Sequence, residues 1–143
     1  MPAHADSVVA HIDGASRGNP GPAAYGVIME SEDGTPLATC SKTLGHTTNN
    51  VAEYHGLLAA LDYAVEHKVG RLKVLTDSEL LARQIQGAYK VRSPDLKPLH
   101  DRARSAIAQL ESFTIQHVRR EQNSEADRLA NLALDDAKLA TKL

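Results

Sequence analysis

The sequence predicts an α/β domain: one five-stranded mixed sheet, three strands antiparallel and two added by parallel crossovers, with four helices on its faces. Three observations carry this prediction. Three strand-like runs precede any helical pattern, and their links are short enough for an antiparallel meander. The hydrophobic pattern then changes to a helical period at Tyr54. From there on, strand-like and helix-like stretches alternate, which is the signature of βαβ crossovers.

The first strand is the β-branched run Ser7 to Ile12, expected to stop at Asp13-Gly14. Gly18-Asn19-Pro20-Gly21-Pro22 is the strongest loop signal, because its prolines and glycines disfavour both regular structures. Tyr25 to Glu30 and Leu37 to Thr43 are the next strands, and the Asp33-Gly34 pair between them suits a hairpin. Tyr54, Leu57, Leu58, Leu61 and Val65 then form the apolar stripe of an amphipathic helix that begins after an Asn50 cap and runs to about His67. Leu72 to Leu75 reads as a buried strand ending at Asp77, followed by a second helix from Ser78 to about Gly87. Ala88 to Pro98 is irregular and basic, with Lys90, Arg92 and Lys97. Leu99 to Leu110 is a third helix, Phe113 to Val118 a fifth strand, and Asn123 to about Lys138 a fourth helix with Ala126, Leu129, Ala130, Ala133 and Ala137 on one side. The whole reads as one domain over 1–143 with an ordered core over about 7–138, its last residues Ala140 to Leu143 frayed.

Composition narrows the class. With 143 residues, 42% of them hydrophobic, the chain can bury one self-supporting core. Sixteen Lys and Arg against 18 Asp and Glu give a net charge of -2, unlike the strongly basic domains that bind nucleic acid through charge alone. Four Tyr, one Phe and no Trp make a base-stacking groove improbable. On composition alone, a small-molecule enzyme is the expectation. Cys40 has no partner within the chain, the N-terminus lacks a signal-peptide pattern, and nothing near a membrane-spanning apolar run occurs, so a cytoplasmic protein with no membrane association is expected.

Four acids stand at element ends. Asp13 closes the first strand and Asp77 the fourth, while Glu53 and Asp127 fall in the first turns of the first and last helices. In open sheets with helical crossovers, sites gather outside the carboxyl ends of strands, where helices also begin, so the four can converge on one edge. Each acid also has a purely structural reading. Asn50-Val51-Ala52-Glu53 resembles a capping box, Ser124-Glu125-Ala126-Asp127 fits that template less closely, Asp77 can cap the second helix, and Asp13 can make an Asx turn before Gly14. Those readings leave unexplained why buried strands end twice in a carboxylate. Convergent buried carboxylates need a cation between them. An oxygen-only donor set suits Mg²⁺ or Mn²⁺, and two such ions about 3.5–4 Å apart would clamp the attacking and leaving oxygens of a phosphodiester displacement.

Four motifs resemble those of type 1 ribonuclease H: Ile12-Asp13-Gly14-Ala15-Ser16-Arg17-Gly18-Asn19-Pro20-Gly21-Pro22, Thr47-Thr48-Asn49-Asn50-Val51-Ala52-Glu53, Leu75-Thr76-Asp77-Ser78, and Asn123-Ser124-Glu125-Ala126-Asp127-Arg128-Leu129-Ala130. They run in the family's order over nearly the whole chain. The resemblance implies the ribonuclease H fold and endonucleolytic hydrolysis of the RNA strand of an RNA–DNA hybrid, leaving a 5′-phosphate and a 3′-hydroxyl. It further implies two bound Mg²⁺ ions, with Mn²⁺ as an alternative. Asp13 would bridge both, Asp127 would complete the ion beside the water, and Glu53 with Asp77 would hold the other. Asn19, Asn49 and Asn50, the backbone around Gly14 and Ser78, and Glu79 would contact the groove and 2′-hydroxyls, reading shape rather than sequence. Asparagine is also a common turn and cap residue, so a structural reading of these stands beside that one.

The chain departs from many members of that family in two places. Between Val118 and Asn123 lie Arg119, Arg120, Glu121 and Gln122, with no histidine to assist catalysis. Arg120, with Arg119 as the alternative, is the candidate substitute; a guanidinium is no general base near neutral pH, so it would hold phosphate or help product leave. The basic protrusion that follows the second helix in many members is also missing, and Lys90, Arg92 and Lys97 either replace part of its charge or form a solvated loop. The pattern resembles the compact archaeal-like branch. A monomer acting on a hybrid duplex is expected; a catalytically silent hybrid-binding module, or another nuclease of the same fold, are the competing readings.

Overall fold

The computed structural model describes residues 6–142, with side chains described as far as Lys138. The N-terminal reading that rests on Met1 to Ala5, and the frayed end at Leu143, lie outside the described residues. The elements are β1 (Ser7–Ser16), β2 (Gly21–Ser31), β3 (Pro36–Thr47), α1 (Asn49–Glu66), β4 (Arg71–Thr76), α2 (Glu79–Ile85), α3 (Lys97–Ile107), β5 (Ser112–His117), a 3₁₀ turn over Arg120–Asn123, and α4 (Ser124–Lys142). The sheet has five strands in the order β3-β2-β1-β4-β5. β1 pairs antiparallel with β2, and β2 with β3; β1 pairs parallel with β4, and β4 with β5. This is the predicted mixed sheet. Among the described residues no helix is long and apolar enough to cross a membrane.

The core lies mainly between the sheet and α1, where Ala10, Ile12, Leu57, Leu61 and Val74 are fully enclosed. Tyr54 is buried with its ring, and its hydroxyl donates to Gln84 Oε1 at 2.6 Å, so the apolar stripe of α1 holds one satisfied polar contact to α2. α4 packs against β2, β1 and β3, while α3 packs against α1.

Several expected boundaries move, each for a physical reason. β1 does not stop at Asp13-Gly14 but continues to Ser16, with Asp13 paired to Gly26 and Gly14 to Tyr25. The turn chemistry lies later, at Gly18 (φ 95°) and the cis Asn19-Pro20 peptide. Gly14 serves packing instead: a Cβ there would overlap the backbone of Ala52 and Glu53, so glycine lets α1 lie against the strand. The cap of α1 is Thr48, whose hydroxyl accepts from the Val51 amide, and not Asn50. Glu53 therefore falls in the second turn, outside any capping box. α3 starts at Lys97, with Pro98 inside its first turn, where a missing N–H leaves nothing unsatisfied. Asn123 ends a 3₁₀ turn, and α4 follows it from Ser124 to Lys142, into the stretch expected to fray.

Candidate active site

β4 ends at Thr76, which pairs with Ile12, so from Asp13 onward β1 has no parallel neighbour. The gap opens at a change of strand direction in the sheet, where crossover folds place their ligands. Four elements meet around it. Asp13 stands on β1 at its mouth. Asp77 follows the last residue of β4 and is not a cap, because Ser78 caps α2 by accepting from the Leu81 amide. Glu53 reaches in from α1 and accepts from the Gly14 amide at 3.1 Å. Asp127 comes from the first turn of α4 and stands near enough to the Asp13 side chain to help raise its carboxyl.

One carboxylate oxygen from each of Asp13, Glu53 and Asp77 lies within 4.8 Å of the other two. Asp13 and Glu53 are each only 4% exposed. Among the described residues no cationic nitrogen comes within 4.0 Å of either; Arg120 Nε stands 3.8 Å from Asp77 Oδ2 at the solvent edge. Burial, then the charges of Glu53 and Asp77, push the Asp13 carboxyl up to about 10. Burial and then Asp77 raise Glu53 to about 8, against the Gly14 amide, the Asn49 side chain and the Arg120 charge. Buried acids held this far above their usual range favour protonation until positive charge arrives. The donors are all hard oxygens, and two of the three are enclosed, which fits a divalent cation of the oxygen-preferring kind.

Two glycines bring the helices close enough to form this cluster. Gly14 admits α1, as described above. Gly26, across the ladder from Asp13, admits α4: a Cβ there would overlap the Ala126 carbonyl and crowd Ala130 N and Leu129 Cβ. A third device is Asn123, buried to 2%, whose Nδ2 donates to the Ile12 carbonyl at 2.7 Å. It ties the start of α4 to the residue before Asp13. Its Oδ1 is a buried side-chain atom without a hydrogen-bond partner. The sequence marks Asn123 only as a helix start, and its position four residues before Asp127 is the one local signal of this bond.

The other candidate residues divide. Asn19 Oδ1 accepts from the Asn49 amide at 3.0 Å, which joins the β1–β2 turn to the start of α1, one turn before Glu53. Asn50 is exposed beside it. The backbone amides around Gly14 and Ser78 do not both face outward as expected. Gly14 N serves Glu53, and Ser78 N donates to Thr76 Oγ1 at 3.1 Å, because each lies where a buried acceptor needs a donor. The Ser78 hydroxyl accepts from Leu81 and keeps its own proton to donate. Glu79 is exposed and stands 4.0 Å from Arg83. Arg120 is beside the cluster, whereas Arg119 caps the 3₁₀ turn, its amide donating to Gln122 Oε1 at 3.2 Å.

Comparison with known proteins bears on the family and the fold. The family model described as "Reverse transcriptase-like" matches residues 11–133. The chain is 44% identical over 137 residues to Ribonuclease HI of Halobacterium salinarum, covering 96% of this chain and 69% of that protein. It is 46% identical over 131 residues to the Bifunctional protein Rv2228c of Mycobacterium tuberculosis, covering 91% of this chain and 36% of the relative. The chain thus spans about a third of the length of that mycobacterial relative. Among solved structures, the N-terminal RNase H domain of that protein superposes with a TM-score of 0.91 at 43% identity, covering 96% of this chain and 99% of the other. LC11-RNase H1 in complex with RNA/DNA hybrid superposes with a TM-score of 0.86 at 40% identity, covering 91% and 98%.

Proposed function

The chain belongs to the ribonuclease H family, and on that premise we propose that it hydrolyses the RNA strand of RNA–DNA hybrids endonucleolytically, leaving a 5′-phosphate and a 3′-hydroxyl. The observation that carries this is the cluster Asp13, Glu53 and Asp77, with Asp127 near Asp13, at the open end of β1. A module that only bound a hybrid would gain nothing from buried negative charge facing phosphates.

Asp13, Glu53, Asp77 and Asp127 would hold two Mg²⁺ ions, or Mn²⁺. When bound, such ions supply an acidified water and neutralise charge on the leaving oxygen. The residues of the chain do the rest. Asp13, with Glu53 and Asp77 clustered against it and Asp127 nearby, would be the central donor of the set. Asn123, by holding Ile12, fixes where that carboxylate stands. In the reaction water oxygen bonds to phosphorus, the bond from phosphorus to the 3′ oxygen breaks, and the 3′ oxygen leaves as a hydroxyl. Arg120, its side chain 87% exposed beside Asp77, is free to accompany a phosphate oxygen. The Asn19–Asn49 pair, Asn50, the Ser78 hydroxyl and Glu79 would contact the groove of the hybrid, where 2′-hydroxyls, which donate and accept, distinguish RNA from DNA. The reading has one domain carrying the whole activity.

The test is a strand-labelled hybrid and the matching DNA duplex, each incubated with Mg²⁺, with Mn²⁺ and with chelator. Metal-dependent cutting of the RNA strand alone supports the reading. No cutting by the wild type, or unchanged cutting by Asp13→Asn, would sink it.

A further inference from the structure

The turn between β1 and β2 touches both helices that carry the clustered acids. On one side Asn19 receives the Asn49 amide of α1, one turn before Glu53. On the other, Arg17 Nη2 donates to Asp135 Oδ1 at 2.6 Å and to the Asn131 carbonyl at 3.3 Å, both on α4. Asn131 in turn donates its Nδ2 to the Asp127 carbonyl at 3.0 Å and to Asp127 Oδ1 at 3.3 Å. One short turn therefore ties the start of the helix that carries Glu53 through asparagine and the helix that carries Asp127 through arginine.

Asparagine inside a helix is a modest helix former, so its amide here has another use. Bonded to both the backbone and the carboxylate of the residue one turn earlier, it limits the rotamers open to Asp127. Arg17 does not point at an approaching phosphate. Its Nη2 is already on a carboxylate of α4, and Asp135 beside it would repel a nucleic-acid backbone.

We propose that Arg17 and Asn131 are positioning residues for Asp127: Arg17 pins the substrate-facing turn to α4, and Asn131 orients the carboxylate one turn up. Turn and helix then move as one body, so the turn that carries Asn19 and the acid that completes the cluster keep a constant spacing. This inference rests on the role given above to Asp127.

The experiment compares Asn131→Ala, Arg17→Ala and Asp135→Asn with wild type. Mn²⁺ binding to chelator-stripped protein is measured by calorimetry without nucleic acid, kcat and KM on a hybrid, and Tm as a check on folding. Removing a group that orients a ligand typically costs 10–100-fold in metal affinity, so Asn131→Ala should weaken Mn²⁺ binding by about tenfold and lower kcat similarly, with KM within about twofold. Arg17→Ala and Asp135→Asn act one step further away and should shift both in the same direction by about threefold. Asp135→Asn discriminates, because it keeps the Arg17 cation and its bond to the Asn131 carbonyl and removes only the ion pair. A raised KM with unchanged kcat in Arg17→Ala, together with wild-type behaviour of Asp135→Asn, would make Arg17 a direct phosphate contact and overturn the proposal. Unchanged Mn²⁺ binding in Asn131→Ala overturns it as well. If wild type binds Mn²⁺ without cutting, the functional reading fails by itself, and the Mn²⁺ comparison among variants still decides this inference.

Discussion

The carbonyl of Ala126 occupies the space where a side chain at Gly26 would stand. Gly26 is the ladder partner of Asp13, so α4 rests on β2 beside the strand position that carries the central acid, and Asp127 follows Ala126 directly. Gly26→Ala should force α4 outward. Overpacking of this kind costs about 1–3 kcal/mol, and the displaced Asp127 should lower kcat more than the stability loss accounts for. Urea unfolding and hybrid cleavage on the same preparation measure the two effects; wild-type kcat in a destabilised variant would show that the close approach serves packing alone.

In the metal-free protein, stability should fall as pH rises. Asp13 goes from 3.8 when unfolded to about 10 when folded, and Glu53 from 4.5 to about 8. Between those limits the native state binds more protons than the unfolded chain, so the slope of stability with pH is negative. Denaturant midpoints at pH 5.5, 7 and 8.5 in chelator should decline in that order. Saturating Mg²⁺ should flatten the trend, and its affinity should rise with pH because binding releases protons.

Asp13→Asn keeps the shape and removes a carboxyl that must take up a proton to be buried without metal. Without metal, the variant should be more stable than wild type at pH 8 by at least about 1 kcal/mol, and it should be inactive. Thermal melts in chelator check the first outcome. Equal or lower stability of the variant would mean the cluster is not strained in the absence of cations.

Asn123→Asp leaves the Ile12 carbonyl without its donor in a buried place, a loss of about 1–3 kcal/mol. Because Ile12 precedes Asp13, kcat should drop along with stability. Denaturation curves and initial rates test this; a variant of normal stability and rate would show that the bond does not hold the strand end.

Arg120→Ala should leave Tm unchanged, since the side chain is largely in solvent, and should lower kcat by roughly 5–20-fold through loss of a charge-assisted phosphate contact. Single-turnover and steady-state rates separate cleavage from product release. A kcat equal to wild type removes Arg120 as the substitute for the missing loop histidine.

The order of elements, the mixed sheet and the convergence of Asp13, Glu53 and Asp77 were legible in the sequence, because each rests on local chemistry. Period-two and helical patterns give element type, turn residues give their ends, and hard carboxylates announce a cation. Boundaries drifted where a local signal had two meanings. Asp13-Gly14 reads as a turn, yet the glycine is there for Ala52 and Glu53, residues distant along the chain. Asn50 and Thr48 are both good caps, and only the backbone geometry gives the role to Thr48.

What the tertiary structure alone decided is the set of contacts that hold the acids in place. Asn123 meets Ile12 across 111 residues, and Arg17 meets Asp135 across 118. Gly26 is an unremarked strand residue until α4 lies against it. None of these pairings has a periodicity, since contacts between distant segments depend on how sheet and helices stack. Side-chain type is written locally and states which chemistry is available. Its strength here comes from burial and from mutual distance, which exist only once the chain has folded.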